Sequence, residues 1–402
     1  MEDALNRRLD VVRRHLSPAL LSINQCYRPS AAAADEPLVV EGDPVVIGAM
    51  VLDIHARPLI SEIRPGTTTP GIVQYVKGGV GRNIAECISK LGLSPFFISV
   101  LGQDMAGDLL IAHWRSMGLR IDGICRVSDV STPVVSAVFD ENGELAGAVA
   151  DTHSFEKHLT PEWISRFQSQ IKSASLVVLD ANLSEVALQA ACELAKEARV
   201  PVWFEPVSFS KSVRHSSISS HLMFVSPNEA ELVAMSEGTC CKLENTFSSQ
   251  NCSNNVQSIL SILEVHIQKL LDDGIMFIVL TLGALGVVLC WHGTQTLSGN
   301  EKLSELKGNH IQTLNKPIPS NVCYVHFPAL PASVVSVSGA GDCFVAGVLA
   351  TLCGHRGLYE SIAFGIAVAR HAVQSEMNVP TSLCRVQLTA NAQEVLSSAR
   401  HL

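Results

Sequence analysis

Residues 336 to 350 read Ser-Val-Ser-Gly-Ala-Gly-Asp-Cys-Phe-Val-Ala-Gly-Val-Leu-Ala, and no other segment of the 402-residue chain says more about its architecture. A strand-like run, Ala332 to Val337, leads into a turn of small residues, and an apolar helix is expected from Ala340 to Cys353. Gly339 and Gly341 permit backbone conformations and close approaches that a side chain would block. Successive N–H groups at the start of such a helix form a concave anion site.

Asp342 falls in the first turn of that helix, where the helix dipole favours a negative charge. A carboxylate beside an anion site suits phosphoryl transfer, because the amides can hold the transferring group while the carboxylate accepts a proton from the attacking hydroxyl. An ordinary glycine turn with an aspartate cap leaves the same local pattern. Motifs elsewhere in the chain are needed to distinguish a phosphoryl-transfer site from a simple capped turn.

From residue 44 onward, short apolar runs alternate with amphipathic helical stretches. Runs such as Leu176–Asp180 and Met276–Leu282 are almost entirely apolar, as expected for strands buried on both faces. The alternation predicts an α/β fold, a three-layer αβα arrangement around a central, mainly parallel sheet. Residues 54–76 and 133–149 alternate apolar and polar side chains, which predicts a small second sheet lying over the main one as a lid.

The domain organisation follows from shifts in composition. Residues 1–40 read as an N-terminal segment and linker, and residues 41–402 as one α/β domain. Residues 236–256 are rich in Ser, Asn, Thr and Cys, and residues 299–321 are polar with two prolines. Both are interpreted as surface insertions of unassigned role.

Composition limits the classes of partner. The net charge of −9, with 17% charged and 47% hydrophobic residues, gives no general attraction to nucleic acid, so small-molecule ligands are expected. No apolar run approaches the length needed to span a bilayer, and no membrane association is expected. The 12 cysteines form no CxxC pair and the 14 histidines show no metal-binding spacing, so scattered reduced thiols and no zinc site are expected.

A second glycine-rich motif, Gly78-Gly-Val-Gly-Arg-Asn83, opens a predicted helix. Paired glycines let a ligand approach the backbone, and Asn83 offers a donor and an acceptor to hydroxyl groups. Asp53 ends the apolar run Gly48-Ala-Met-Val-Leu-Asp, where it is either a ligand-binding carboxylate or a simple strand-terminating residue. Each motif is weak by itself.

In this order along the chain, the motifs resemble those of the ribokinase-like, or PfkB-type, carbohydrate kinases, with the resemblance covering residues 44 to about 390. It implies a ribokinase-like fold in which Asp342 is the catalytic base and Gly339, Ala340 and Gly341 form the anion hole. It also implies that Asp53, Gly78, Gly79 and Asn83 bind the sugar.

The resemblance further implies ATP and Mg²⁺ as cofactors. Asn228-Glu-Ala-Glu231 matches a family motif that organises magnesium, with Glu231 acting through water, and Thr281, Gly283 and Gly286 match a turn that approaches the nucleotide. The adenine site is expected near residues 363–367 and Asn378. Ser336 stands where the family signature has an aspartate that helps to hold a monovalent cation, so a K⁺ requirement is left open.

Within the family, the string Gly78-Gly-Val-Gly-Arg-Asn-Ile-Ala-Glu86 is most similar to the pseudouridine kinases. That similarity implies phosphorylation of the 5′-hydroxyl of pseudouridine, with Arg82 and Thr132 among the substrate-binding residues. A ribokinase, another nucleoside or sugar kinase, and a non-catalytic nucleoside-binding member are the alternatives. The sequence does not identify the residues that would recognise the base.

The N-terminal segment carries Arg8-Leu9, five residues, and His15-Leu16. On a helix, Leu9, Val12 and Leu16 share one face with Arg8 and His15 alongside. The string resembles the type 2 peroxisomal targeting signal, which implies a peroxisomal import receptor as a partner and a peroxisomal location. A chance basic helix or an organellar transit peptide is the alternative, and the chain would then be cytoplasmic or organellar. Family members often dimerise through the lid, but the lid strands show no decisive apolar stripe in the sequence, so a homodimer is left open.

Overall fold

The structure, a computed structural model, describes residues 42–60, 66–140, 145–238, 255–293, 297–307 and 321–402. The chain divides between Leu38 and Val39, and the described residues belong to the C-terminal unit. The predictions about Arg8 to Leu16, and about most of 236–256 and 299–321, therefore fall outside the described residues. In the described ranges, no helix has the length and apolar character needed to cross a membrane.

Two sheets account for the strands found within the described ranges. The strands are β1 Val45–Ile47, β2 Val51–Pro58, β3 Gly71–Gly78, β4 Phe96–Gly102, β5 Ile124–Val127, β6 Val134–Phe139, β7 Leu145–Asp151, β8 Val177–Asp180, β9 Val202–Glu205, β10 Leu222–Val225, β11 Phe277–Thr281, β12 Val287–His292, β13 Val322–Phe327 and β14 Arg400–His401. The main sheet has the order β14-β13-β12-β11-β10-β9-β8-β1-β4-β5. It is parallel from β11 to β5 and antiparallel from β11 to β14.

The longer helices of the described ranges are α1 Val80–Lys90, α2 Met105–Ser116, α3 Glu185–Glu197, α4 Glu229–Glu237, α5 Val256–Asp272, α6 Ala340–Leu352, α7 Leu358–Val373 and α8 Arg385–Ser397. Shorter α-helical segments are His153–His158, Pro161–Ser165, Gln168–Lys172, Phe209–Ser212 and 303–307, and the 3₁₀ segments are Val213–Ser217, Ser219–His221 and Gly283–Leu285. Side-chain caps start several of the longer helices, such as Asp104 for α2, Ser184 for α3 and Asn228 for α4.

The middle of the main sheet is buried on both faces. Every residue of β8, β9 and β10 is buried, although successive side chains point to opposite faces. Helices therefore cover both faces of the sheet, and this burial on both sides explains why the strands are continuous apolar runs in the sequence. The prediction of an α/β fold around a mainly parallel sheet is confirmed.

The small second sheet is also confirmed, with the order β3-β2-β6-β7. Asp53 belongs to it, because β1 ends at Ile47 and β2 begins at Val51, where the sequence had suggested one run ending at Asp53. The chain leaves the main sheet at Gly48. Glycine is needed there because a Cβ at this position would overlap the carboxylate of Asp180. Asp53 therefore lies inside a lid strand, paired with Val76 and Val135.

The strand-like interpretation of Ala332 to Val337 is wrong, because this stretch is an irregular connection between β13 and α6. The amides of Val335 and Ser336 both donate to the carbonyl of Val373 at the end of α7. Val334 and Val337 are 63% and 72% exposed, so they do not belong to a buried strand. Their apolar side chains line a cavity instead.

Candidate active site

The site lies where the carboxyl ends of the parallel strands meet the start of α6, the usual crevice of open α/β sheets. Asp180 ends β8, Glu205 ends β9 and Thr281 ends β11. Asn228 forms an isolated bridge with Thr281, which brings the segment after β10 alongside. Because these strands are parallel, their carboxyl ends lie at the same edge of the sheet. Polar side chains that are far apart in the sequence therefore lie close together there.

A direct hydrogen bond joins the predicted sugar-binding part of the site to its predicted phosphate-binding part. The side-chain amide of Asn83, in the first turn of α1, donates to Oδ2 of Asp342 in the first turn of α6 at 2.6 Å. The two residues are 259 positions apart. A hydroxyl held at Asn83 would therefore lie within reach of the Asp342 carboxylate, which is the geometric requirement for a general base.

Arg82 supports Asn83 from beneath and is only 2% exposed. Its guanidinium donates to the side-chain oxygen of Asn83, to the carboxylate of Glu86 and, at 2.7 Å, to the carbonyl of Lys77. Burial opposes the ionisation of Glu86, but hydrogen bonds from His113 and Lys90 and the charge of Arg82 lower its pKa to about 2. The described contacts of Arg82 are thus with Asn83, Glu86 and Lys77, and its predicted contact with substrate stays a prediction.

Asp53 and Asn378 meet at the sugar end. The amide of Asn378 donates to the carbonyl of Lys77 at 3.2 Å and approaches Oδ2 of Asp53 at 3.4 Å. A Cβ at Gly78 would overlap the Asp53 carboxylate, and one at Gly79, whose φ is +96°, would overlap the carbonyl of Ala49. Only glycines allow β3 to pass into α1 this close to Asp53.

Thr132 does not reach this cluster through its side chain. The hydroxyl donates to Asp104 at 2.6 Å and accepts from the amide of Gly102 at 3.0 Å, and the residue is 1% exposed. Asp104 also caps α2 through the amide of Gly107. The structure gives Thr132, which was predicted to bind substrate, a part in fixing the start of α2.

Asp180 holds the loop after β1 against the start of α1, and the sequence had not predicted it as a site residue. One carboxylate oxygen accepts from the amides of Ala49 at 2.8 Å and Gly81 at 2.9 Å, and the other accepts from the amide of Asn182. These bonds tie the end of β8 to the turn after β1 and to the start of α1. The signal that could have found it was an aspartate at the end of an apolar strand, the same signal that Asp53 gave.

The carboxyl groups of Asp342 and Asp53 are both hard to ionise. Burial raises the pKa of Asp342 to about 6; the hydrogen bond from Asn83 opposes that rise and the charge of Asp180 adds to it. Burial likewise raises the pKa of Asp53 to about 6 against the hydrogen bond from Asn378 and the charge of Arg82. A base with such a pKa is largely ionised at neutral pH and still a useful proton acceptor.

This pKa predicts an acid limb in the activity profile. A base accepts a proton only when ionised, so kcat/KM should fall about tenfold per pH unit as the pH drops below about 6. Initial rates between about pH 5 and 8 at constant ionic strength measure it. Asp53→Asn removes the second carboxyl that titrates in this range. Its absolute rate should fall because Asp53 is predicted to bind the sugar, but the acid limb should persist if it belongs to Asp342. A flat profile down to about pH 5 would contradict the assignment of Asp342 as the base.

A cavity of about 1030 Å³ opens on the other side of the α6 start. Its lining includes Thr281, Gly283 and Gly286, which were predicted to approach the nucleotide, and Asn228, which was predicted as part of the magnesium motif. Ala340 and Gly341 at the start of α6 also line it. The rest is mostly apolar, with Val334, Val337, Phe344 and Ile366 among the contributors, which suits a flat aromatic base. Asn378, predicted to lie at the adenine, is absent from this lining and faces Asp53 instead.

The start of α6 separates the cavity from the sugar end. Gly339 adopts φ +76°, and a Cβ there would overlap the carbonyl of Asn378. The amide of Ala340 donates to the carbonyl of Val337 at 3.2 Å within the turn. Helix geometry leaves the following amides, those of Gly341 and Asp342, without an intrahelical acceptor, and they provide positive partial charge for a phosphate.

The side chains of Glu205 and Glu231 are both buried, and their charges interact, so they are candidates to hold a divalent cation. Glu231 forms a capping box with Asn228, in which its carboxylate accepts from the Asn228 amide at 3.0 Å. Burial raises the pKa of Glu231, and burial with the charge of Glu231 raises that of Glu205 well above its usual range. A nearby cation would relieve this penalty. Magnesium bound to phosphates and water needs only one or two such groups.

Known proteins that are similar to this chain indicate its family. A family model described as pfkB family carbohydrate kinase matches residues 43–298 and 320–380. The chain is 41% identical over 374 residues to the pseudouridine kinase of Arabidopsis thaliana, covering 90% of this chain and 98% of that protein.

Solved structures agree on the fold. An Arabidopsis thaliana ribokinase complexed with ribose and ATP superposes with a TM-score of 0.66 at 19% identity, covering 88% of this chain and 99% of that chain. A putative ribokinase from E. coli in complex with ATP and Mg²⁺ superposes with a TM-score of 0.63 at 15% identity, again covering 88% and 99%. At these identities the likeness shows the ribokinase-like fold, as predicted.

Proposed function

The chain belongs to the pfkB family of carbohydrate kinases, and we propose that it transfers the γ-phosphoryl group of ATP to the 5′-hydroxyl of pseudouridine. The observation that carries the proposal is the hydrogen bond between Asn83 and Asp342, because it joins a hydroxyl-binding amide to a carboxylate at an anion-binding helix start. The 41% identity to a pseudouridine kinase supports the choice of nucleoside.

The residues of this chain divide the reaction between them. Asp53 and Asn83 hold the ribose hydroxyls, and Asp342 accepts the proton of the 5′-hydroxyl as its oxygen attacks the γ-phosphorus. The bond from that phosphorus to the bridging oxygen breaks, and ADP leaves. The amides at the start of α6 stabilise the negative charge that develops on the phosphoryl oxygens.

We propose Mg²⁺ as the cation that accompanies ATP, held through the Asn228 and Glu231 segment with Glu205 nearby. It supplies positive charge to the phosphates. For K⁺ we expect at most weak activation, because Ser336 offers a hydroxyl where the family signature offers a carboxylate. Rates in potassium and sodium chloride at equal ionic strength compare the two.

A substrate panel tests the proposed function. With pseudouridine, uridine, adenosine and ribose at equal concentration, ADP formation should show kcat/KM for pseudouridine at least about tenfold above each of the others, since a base-recognising site discriminates by 1–3 kcal/mol or more. Preference for ribose would identify a ribokinase and preference for adenosine another nucleoside kinase. Ligand binding without ADP formation would identify a non-catalytic binder.

We also propose import into peroxisomes, supported by Arg8-Leu9 and His15-Leu16 alone. A fluorescent fusion carrying residues 1–40 should co-localise with a peroxisomal marker, because the basic and apolar side chains of one helical face would meet the receptor together. The control exchanges Arg8 and His15 for alanine and should stay diffuse. Diffuse wild-type fluorescence, or import of the doubly exchanged segment, would remove the basis for the proposal.

A homodimer through the lid is the oligomeric state we propose. Val73, Tyr75, Val138 and Val149 are 58%, 61%, 37% and 76% exposed, and strand alternation puts them all on the outer face of the lid, opposite to Asp53. A second copy could cover this apolar face. Sedimentation velocity should give twice the chain mass, and Tyr75→Lys should give the monomer.

A further inference from the structure

A buried carboxylate, that of Glu86, lies in the second turn of α1 and contacts three basic side chains. The side chain of Glu86 is only 4% exposed. Its Oε2 pairs with the guanidinium of Arg82 and lies 3.1 Å from Nε2 of His113 on α2, while its Oε1 lies 2.7 Å from Nζ of Lys90. These four side chains are here called the Glu86 cluster. A charge buried away from water needs such partners, because desolvation is otherwise costly.

Arg82, one member of the cluster, determines which end of the Asn83 amide faces Asp342. Its guanidinium donates to the side-chain oxygen of Asn83. A guanidinium can only donate, so the amide oxygen has to face Arg82 and the NH₂ group has to face the Asp342 carboxylate, to which it donates at 2.6 Å. A flipped amide would set its oxygen against the carboxylate and its NH₂ group against the guanidinium. The orientation of Asn83 therefore depends on where the guanidinium is held.

Glu86 holds this guanidinium and balances its charge. Among the acidic groups that act on Arg82, Glu86 interacts most strongly, followed by Asp342 and Asp53 in the active site. Without the charge of Glu86, the guanidinium would be drawn towards these two carboxylates and away from the oxygen of Asn83. The Asn83 amide would then lose the donor that fixes its orientation.

The other oxygen of Glu86 holds Lys90, which ties the segment after α7 to α1. Nζ of Lys90 donates at 2.7 Å to the carbonyl of Pro380, two residues after Asn378. The side chain of Asn378 donates at 3.2 Å to the carbonyl of Lys77, which also accepts from the guanidinium of the cluster. Both oxygens of Glu86 thus support the predicted sugar-binding part of the site, one from α1 and one from the segment after α7.

We propose that Glu86 is a positioning residue for phosphoryl transfer, which holds Arg82 and Lys90 so that the amide of Asn83 faces the Asp342 carboxylate. The carboxylate of Glu86 is taken up by its three basic partners, so it acts through Asn83 and not on the substrate. The inference rests on the proposed function, because the orientation of Asn83 matters when a hydroxyl bound there gives its proton to Asp342.

Glu86→Gln tests the proposal, because it keeps the shape of the side chain and removes the charge that holds Arg82. It should lower kcat about 10²-fold, since a misplaced amide leaves the hydroxyl poorly aligned with the base. KM for ATP should stay within about threefold, because the nucleotide cavity is lined by other residues. Glu360→Gln is the matched control and should change neither constant, since Glu360 pairs with Arg356 four residues earlier on an exposed face of α7.

A double-mutant cycle with Asn83→Ala shows whether Glu86 acts through Asn83. In the Asn83→Ala background, Glu86→Gln should lower kcat by less than about threefold, because the group that Glu86 positions is gone. Equal losses in the two backgrounds would mean that Glu86 contributes only to packing, and the proposal would be wrong. It would also be wrong if Glu86→Gln alone kept kcat within about threefold of wild type.

A second variant covers the case in which Glu86→Gln does not fold, because removing one partner of a buried ion pair is strongly destabilising. Arg82→Met combined with Glu86→Gln removes both charges and leaves neither unpaired, and thermal unfolding shows whether it folds. It should also lose about 10²-fold in kcat, and the loss should disappear in the Asn83→Ala background. Wild-type kcat in this variant would overturn the proposal.

The substrate panel separates this proposal from the proposed function. If wild-type protein prefers ribose to pseudouridine, the proposed substrate is wrong, and the same cycle measured with ribose still decides the role of Glu86. If wild-type protein forms no ADP with any substrate of the panel, the proposed function fails and the role of Glu86 in phosphoryl transfer fails with it.

Discussion

Asp342→Asn should lower kcat by about 10²–10⁴-fold while leaving the dissociation constants of ATP and nucleoside within a few-fold of wild type. The exchange removes the proton acceptor but almost no volume. The amide oxygen of the new side chain can still accept the hydrogen bond from Asn83. Single-turnover kinetics with calorimetric binding separate the loss of chemistry from a loss of affinity. A variant within tenfold of wild-type kcat would mean that another group takes the proton.

The same variant should be more stable than wild type at neutral pH. Burial raises the pKa of Asp342 from 3.8 to about 6, so the folded state binds a proton more tightly than the unfolded state. The ionised carboxylate therefore costs stability at neutral pH, and wild type regains it as the pH falls through about 6. Removing the charge should raise the free energy of unfolding by roughly 1–3 kcal/mol at pH 7.

Asp108→Asn provides the matched control. Asp108 also lies in the first turn of a helix, and its side chain is 75% exposed beside Arg126. Its exchange removes a comparable interaction with a helix dipole outside the active site. Activity and stability should stay close to wild type, so a large effect in Asp342→Asn alone would belong to the site.

Gly341→Ala should lower kcat/KM for ATP about 10²-fold without destabilising the protein. Gly341 lines the nucleotide cavity, and a Cβ there would meet no protein atom within 4 Å. The methyl group therefore fits the fold but occupies space next to the phosphates, and a misplacement of about 1 Å can cost this much in rate. Initial-rate kinetics and thermal unfolding measure the two effects.

Gly339→Ala is the contrasting variant two residues earlier. Gly339 has φ +76°, and a Cβ would overlap the carbonyl oxygen of Asn378. The left-handed conformation alone costs roughly 1–2 kcal/mol in a residue with a side chain, and the overlap adds to it. Gly339→Ala should therefore lose both stability and activity. Equal destabilisation by the two exchanges, or full activity of Gly341→Ala, would contradict a phosphate site at this turn.

Short motifs located the candidate site residues along the chain, but they did not indicate which partners those side chains contact in the fold. Arg82 lies in the glycine-rich motif yet is buried against Glu86 and Lys77. Asn378 follows α7 but faces Asp53 across 325 positions, since β2 and the end of α7 converge only in the folded chain. A local sequence pattern cannot predict this contact, because the two residues come together only in the folded chain.

The sequence alone was sufficient for the α/β architecture, the lid and the helix start at Asp342, because apolar periodicity and glycine positions are local properties that follow from burial and backbone sterics. The tertiary structure decided which carboxylates share the site. Asp180 binds the amide of Ala49 across 131 positions because β8 pairs directly with β1. The desolvation that raises the pKa of Asp342 likewise exists only once α1, α6 and the lid enclose it, since burial is a property of the packed chain.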